Sequence, residues 1–359
     1  NGKHFFDPAE KFVQNEGFFM KKLVSLAMAL CLAVGLAACG APSSSPASSA
    51  APSAAPSSGA AQPSASIRIA GMKGPTTMGM VKLMKDAEEG AANGDYQVEM
   101  YATAQEILPL LVKGEIDAAM LPANVASNIY AQTEGKVQVA AINTLGVLYV
   151  VENGDSIQSG ADLAGKTIYS TGKGNTPEYT LNYILEQNGI ADQVTVEYKS
   201  EATEVTATMA EAGEGAVAVL PQPYVTIATS QTEGMRVALD LTEEWSKVTP
   251  DSQLVTGVLV ARTDFIEQNP EAFEQFLADY KASIDYVNAN TAEAAQLVAD
   301  YGIVPKAAVA EKALPACNIT YIAGSEMKAA LQGYLQVLFD QNPASVGGAM
   351  PGDDFYYGA

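Results

Sequence analysis

Two short strings in the chain raise a chemical question. Lys73-Gly74-Pro75-Thr76 and Lys173-Gly174-Asn175-Thr176 carry matching residue types 100 positions apart. Each follows a strand-like run and opens a helical period, so each sets a lysine beside a helix start. A helix start offers unpaired N–H groups and about half a positive charge, which suits a carboxylate, sulfonate or phosphate. A plain βα turn would use the same residues, with glycine for φ above zero and threonine as the cap. A second pair of strings repeats too. Leu121-Pro122 precedes Asn124, and Leu220-Pro221 precedes Gln222 and Tyr224. Amide and phenol groups at a strand end can orient a polar ligand, and Tyr224 offers a stacking face. Helix capping by Asn124 and packing by Tyr224 account for the same residues. Tyr179 and Trp245 are weaker stacking candidates.

The residues needed for most covalent chemistry are missing. The chain has one histidine, His4, and three cysteines, two of them at Cys31 and Cys39. Without imidazole in the body of the chain there is no Ser-His or Cys-His pair, no ordinary zinc site and no histidine pH switch. Gly172-Lys173-Gly174 falls short of both a dinucleotide fingerprint and a phosphate-binding loop. Glu243-Glu244 reads as a solvated face, and Cys317 as an inert buried thiol. No cofactor and no metal are expected, and the chain is not expected to be an enzyme.

The elements that would position these groups alternate along the body. Tyr96 to Tyr101, Ile116 to Leu121 and Val137 to Ile142 read as strands. The segments Met78 to Ala91, Thr103 to Val112 and Asn124 to Ala131 read as helices. Such alternation predicts mostly parallel sheets flanked by crossover helices. The pattern then repeats. Gln97-Val98-Glu99 is matched by Thr195-Val196-Glu197. The stretch from Gly114-Glu115 to Leu121-Pro122 is matched by that from Gly213-Glu214 to Leu220-Pro221. Three matches in the same order at nearly one offset predict two related α/β lobes, which would aim both lysine-containing turns at one cleft. Asn269 with Pro270 starts a helix whose Phe273, Phe276, Leu277, Tyr280, Ile284 and Val287 form an apolar face. Met327, Ala330, Leu331, Tyr334, Leu335 and Leu338 repeat that spacing, and both stripes read as packing.

The first 66 residues have another organisation. Met20-Lys21-Lys22, an apolar run from Leu23 to Gly35 and small residues ahead of Cys39 describe a secretory signal over residues 20–38. The run is shorter than the roughly 20 residues a bilayer span needs. Residues 1–19 read as an upstream extension, with Met20 as the expected start. Residues 39–66 begin at Cys39 and continue as an uncharged Ala/Ser/Pro tether, too poor in large apolar groups to pack. Residues 1–38 hold four lysines and three acids, so a chain beginning at Cys39 carries 16 basic and 38 acidic side chains, a net of −22. That charge argues against nucleic acid as a partner.

Leu36-Ala37-Ala38-Cys39 resembles the lipobox of bacterial lipoproteins, which implies lipidation at Cys39 and a lipid anchor outside the cytoplasm. The body resembles the solute-binding proteins of ABC importers. More narrowly, it resembles the nitrate/sulfonate/taurine and thiamine-pyrimidine binding family. The strings that carry this are Lys113-Gly114-Glu115-Ile116-Asp117-Ala118, Asp162 to Ile168, and Val260 to Phe265 leading to Asn269-Pro270. The resemblance implies a two-lobed type II periplasmic-binding-protein-like fold, with lobe 1 at 67–151 plus 257–359 and lobe 2 at 152–256. It places hinge crossings near Val151–Gly154 and Thr256–Gly257. It also extends the candidate ligand site to Lys73–Thr77 (including Thr77), Pro122–Val125 (including Pro122 and Val125), Thr171–Thr176 (including Thr171) and Gln222–Tyr224. The expected function is capture of a small organic anion or heteroaromatic compound by a monomer, and its delivery to a permease with its ATPase. Two other classes stay open: a ligand-presenting receptor subunit for a sensor or another transporter, and a lipid-anchored hydrolase. The histidine-consuming pyrimidine synthases that share this fold are disfavoured, because a chain starting at Cys39 contains no histidine.

Overall fold

The computed structural model describes residues 65–359. The upstream extension, the signal segment, Cys39 and nearly all of the tether lie outside the described residues.

The first sheet is laid down by β1 (Ile67–Met72), β2 (Tyr96–Tyr101), β3 (Ala118–Pro122) and β4 (Val137–Leu145). Between them run α1 (Pro75–Met78), α2 (Val81–Glu88), α3 (Ala104–Lys113) and α4 (Ala123–Gln132). The chain then crosses to β5 (Leu148–Asn153), followed by β6 (Thr167–Ser170), β7 (Thr195–Tyr198), β8 (Val217–Pro221) and β9 (Met235–Asp240). Their helices are α5 (Thr176–Gln187), α6 (Ala202–Ala212), α7 (Tyr224–Gln231) and α8 (Leu241–Val248). It returns through β10 (Val255–Arg262) to α9 (Thr263–Gln268), α10 (Pro270–Ala289), α11 (Thr291–Asp300), α12 (Ala307–Ala313), β11 (Ile319–Ile322) and α13 (Gly324–Gln341). The fold is therefore α/β in two lobes, each a sheet flanked by helices.

The duplication is visible in the strand order. The first sheet runs β11-β4-β10-β3-β1-β2 and the second β7-β6-β8-β5-β9. Replacing β1, β2, β3, β4 and β10 by β6, β7, β8, β9 and β5 turns one order into the other, with β11 added at one edge. The starts agree as well: β1 begins at residue 67 and β6 at 167, and β3 begins at 118 and β8 at 217. Both sheets are mixed. β1 pairs in parallel with β2 and β3, and β6 with β7 and β8, while β10 and β5 pair antiparallel with their neighbours. The reversed strand in each lobe is the one arriving from the other lobe. β5 follows β4 directly and β10 follows α8 from the other sheet, so neither is reached by a crossover within its own sheet, which is why alternation alone suggests a more parallel sheet.

This pairing moves the lobe boundary. β5 bonds only to β8 and β9, so Leu148–Val151 belongs to lobe 2 rather than lobe 1. The crossings fall at Gly146–Val147 and at residues 249–254, not at 151–154 and 256–257. An apolar run such as Leu148–Val151 reads as a strand in either lobe, and only its long-range partners decide which.

Lobe 1 is filled by two apolar layers, one on each face of its sheet. The α10 stripe lies in one, with Phe273, Phe276 and Tyr280 fully buried, and the α13 stripe in the other, with Leu331, Tyr334 and Leu335. Lobe 2 has its own pair of layers on its sheet. Buried carboxylates are paired, as the cost of isolated charge requires. Asp117 accepts from Arg68 Nε at 2.9 Å. Glu152 on β5 accepts from Arg236 Nη2, across the strand pair, at 2.9 Å. Burial would raise the Glu152 pKa, but the Ser156 hydroxyl, the Ile157 and Ser156 amides and Arg236 outweigh it and hold the carboxyl below its usual range.

Candidate functional site

The two repeated turns lie at matching places in the two lobes, after β1 and β6, yet differ in detail. In lobe 1 the helix is a single turn, α1, because the chain breaks at Gly79–Met80 before α2. Gly74 is its buried N-cap in extended backbone. Thr77 spends its hydroxyl on the Met72 carbonyl at 2.6 Å and so ties the turn to β1. Thr76 is buried over Gly257, alongside Asn143. Lys73 is exposed. In lobe 2, Gly172 and Gly174 adopt positive φ of 72° and 78°, as a βα turn with glycines predicts. The cap is Asn175 rather than Thr176. Asn175 is extended, and its carbonyl accepts from the Glu178 and Tyr179 amides, leaving Thr176 and Pro177 as the first two helical residues. Thr171 is half-buried beside Ser170, whose hydroxyl donates to its carbonyl at 3.2 Å.

Lys173 does not face a free helix start. Its Nζ lies 5.9 Å from the centre of the Tyr198 ring. Glu178, in the first turn of α5, reaches back and accepts from the Gly174 amide at 2.5 Å. The positive end of this helix already has an anion from its own chain.

The post-strand residues divide in two. Pro122 closes β3 and caps α4, and Val125 joins the lobe-1 core. Asn124 crosses the cleft: its Nδ2 donates to the Gly174 carbonyl at 3.3 Å, joining the lobe-1 loop to the lobe-2 turn. That bond fixes the amide's orientation, so its buried Oδ1, which has no partner, presents an acceptor. Gln222 is used locally, its Oε1 accepting from the Thr226 hydroxyl at 2.9 Å and amide at 3.3 Å at the head of α7. Tyr224 packs on the Val205–Met209 layer, and burial, with the Glu201 charge second, raises its phenol pKa. Helix-capping and packing are the roles these two residues fill.

A second group from both lobes meets where α13 reaches α5 and α8. Trp245 is fully buried, with its ring centre 4.9 Å from that of Tyr183 and 5.5 Å from that of Tyr334. Tyr179 packs against the same layer. The Tyr334 phenol faces Thr176 and Thr180, and burial pushes its pKa up to about 12. The Thr176 and Thr180 hydroxyls, by hydrogen bonding to that phenol, offset part of the rise, while the Trp245 indole nitrogen has no partner. Tyr334 and Thr180 escape a reading of the sequence. Tyr334 sits inside an apolar stripe that periodicity assigns to packing. Thr180 is one turn beyond Thr176 on the same face of α5, a spacing that could have singled it out.

The arrangement joins hydroxyls, an amide, an indole and aromatic faces from two lobes, with no histidine or metal set among them. Among the described residues no group of three or more His, Cys, Asp or Glu is placed to hold a metal. No helix of the described residues is long and apolar enough to cross a membrane.

The profile of the NMT1/THI5-like family matches residues 137–294. No curated protein matches the chain in sequence. Solved structures do match in fold. An ABC transporter protein from Parabacteroides distasonis is 24% identical over 81% of this chain and 98% of its own, with a TM-score of 0.68. The periplasmic aliphatic sulphonate binding protein of Escherichia coli is 19% identical over 78% of this chain and 88% of its own, at 0.63. The alkanesulfonate-binding protein of Xanthomonas axonopodis pv. citri, bound to MOPS, is 17% identical over 82% and 96%, at 0.62. The described chain thus has the two-lobed fold of periplasmic binding proteins, over nearly the full length of these relatives.

Proposed function

We propose that this chain is an extracytoplasmic solute-binding lipoprotein, anchored through Cys39, that closes its lobes on a small organic solute and delivers it to an ABC permease with its ATPase. The shared fold and the match to the NMT1/THI5-like profile support the transport role. The observation that carries the reading is the buried polar cluster where the lobes meet: Asn124 Oδ1 and Trp245 Nε1, which have no partner, beside the Thr176, Thr180 and Tyr334 hydroxyls, which have only one another. A partnerless buried atom such as Asn124 Oδ1 or Trp245 Nε1 costs about 1–3 kcal/mol, so the closed arrangement is one that a hydrogen-bonding guest would stabilise. Closure excludes water and strengthens those bonds; opening against the permease releases the guest. Of the two ligand chemistries left open by the sequence, uncharged donors and acceptors beside aromatic rings favour the heteroaromatic one over the sulfonate.

Thermal-shift measurement on the full-length protein tests this. A nitrogen heterocycle at about 100 times its Kd should stabilise the fold by roughly 2.7 kcal/mol. Tyr334→Phe combined with Thr176→Val should weaken that response at least tenfold. If no small solute stabilises the protein, or if the double variant responds as the wild type does, the reading is wrong.

A further inference from the structure

We propose that Glu178 is a specificity-determining residue that keeps anionic solutes out of the cleft. The proposal rests on the solute-binding reading and deepens it by setting the charge of the guest. The turn Lys173–Thr176 has the parts of an anion site: a lysine, a glycine amide at positive φ and the start of α5, a helix of 12 residues. Each part is already engaged within lobe 2. The Glu178 carboxylate accepts from the Gly174 amide at 2.5 Å, and the Lys173 ammonium rests over Tyr198. Tyr198 in turn faces Glu178, since burial first and that carboxylate next raise its phenol pKa.

An independent observation on the lobe-1 side points to the guest's chemistry. Asn124 is 1% exposed and donates to the Gly174 carbonyl, which turns its unpartnered Oδ1 outward from that bond as an acceptor. A carboxylate and an amide oxygen at one turn repel a sulfonate or phosphate and attract an N–H or O–H donor. Thr176, buried at the same helix start beside the Tyr334 phenol, supplies a hydroxyl that can serve either sense. The solute admitted here is uncharged and carries at least one donor. The sequence alone suggests the opposite, because lysine, glycine and threonine before a helix look like an anion cradle until Glu178 is seen to fill it.

The test is isothermal titration of methanesulfonate and of cytosine into full-length wild type, Glu178→Ala and Glu178→Gln. Wild type should be silent to methanesulfonate up to about 10 mM, and Glu178→Ala should gain on the order of 10- to 100-fold in methanesulfonate affinity. Should Glu178→Ala melt below the assay temperature, Glu178→Gln is read instead. Glutamine keeps an acceptor for Gly174 and removes only the charge. Wild type that binds methanesulfonate as tightly as the variants overturns the exclusion, and so does a folded variant that stays silent. The two readings fail separately. Sulfonate binding by wild type would leave solute capture standing without exclusion. A gain in Glu178→Ala with no neutral solute bound by any form would leave exclusion standing and sink the heterocycle reading.

Discussion

Cys317 and Tyr334 are both buried in lobe 1 and carry polar atoms of different consequence. The Cys317 thiol donates to the Ala313 carbonyl at 3.3 Å, and burial pushes its pKa up to about 12. Thiolate is the reactive form, so at pH 8 the native side chain is almost entirely unreactive thiol. Iodoacetamide treatment of folded protein should leave the Cys317 peptide unmodified by mass spectrometry, and treatment in denaturant should label it fully. Rapid labelling of the folded form would mean that the packing around this residue opens readily. The Tyr334 hydroxyl is equally buried but lies where two lobes meet, opposite Thr176 and Thr180. The residue types alone do not separate these cases. What distinguishes them is whether the neighbours belong to the same lobe.

At the scale of elements, the close approach of α1, β4 and β10 depends on Gly257. A Cβ added there would lie 2.5 Å from Thr76 Cγ2, 2.6 Å from Asn143 Oδ1 and 3.3 Å from Thr144 Cβ. All three neighbours are buried and can yield little. Gly257→Ala should therefore cost about 1–3 kcal/mol and lower Tm by several degrees. Gly74→Ala is the matched control: an added Cβ meets nothing within 4 Å, so its effect should stay within about 0.5 kcal/mol. Equal losses in the two variants would show that close packing at Gly257 is not what matters. Local signals of this kind were largely legible in the sequence. β2 runs from Tyr96 to Tyr101 as its residue types predict, Asn269 and Pro270 open α10, and the offset near 100 foretells the matching strand orders. What was not legible depends on partners far along the chain. The lobe that owns β5 is decided by β8 and β9, and the occupant of the α5 start is decided by the rotamer of Glu178. Tyr334 is assigned to packing by its spacing, and only its lobe-2 neighbours reveal its second role.

For the molecule as a whole, the balance between lobes comes down to a few contacts. Trp245 touches Tyr183 within lobe 2 and Tyr334 across the junction, and such aromatic pairs add about 0.5–1.5 kcal/mol each beyond burial. Against this stand unpartnered buried polar atoms at about 1–3 kcal/mol each. These unmet groups oppose the aromatic gain and the apolar burial that accompanies it, so a guest that bonds them should shift the balance toward closure. The chain offers its own reporter of that motion, because Trp245 is its only tryptophan. Closure buries the indole completely, whereas parting α13 from α8 would let water reach it. Tyr334→Ala should red-shift the emission and raise acrylamide quenching, since the opposing ring is gone. In the wild type, adding a heterocycle that raises Tm should shift the emission to the blue and reduce quenching. Emission and quenching that stay unchanged with solute, while Tyr334→Ala alters both, would mean that Trp245 senses the junction but binding does not move it. In that case the solute would have to be held by an already closed molecule, and lobe closure would not be the step that captures it.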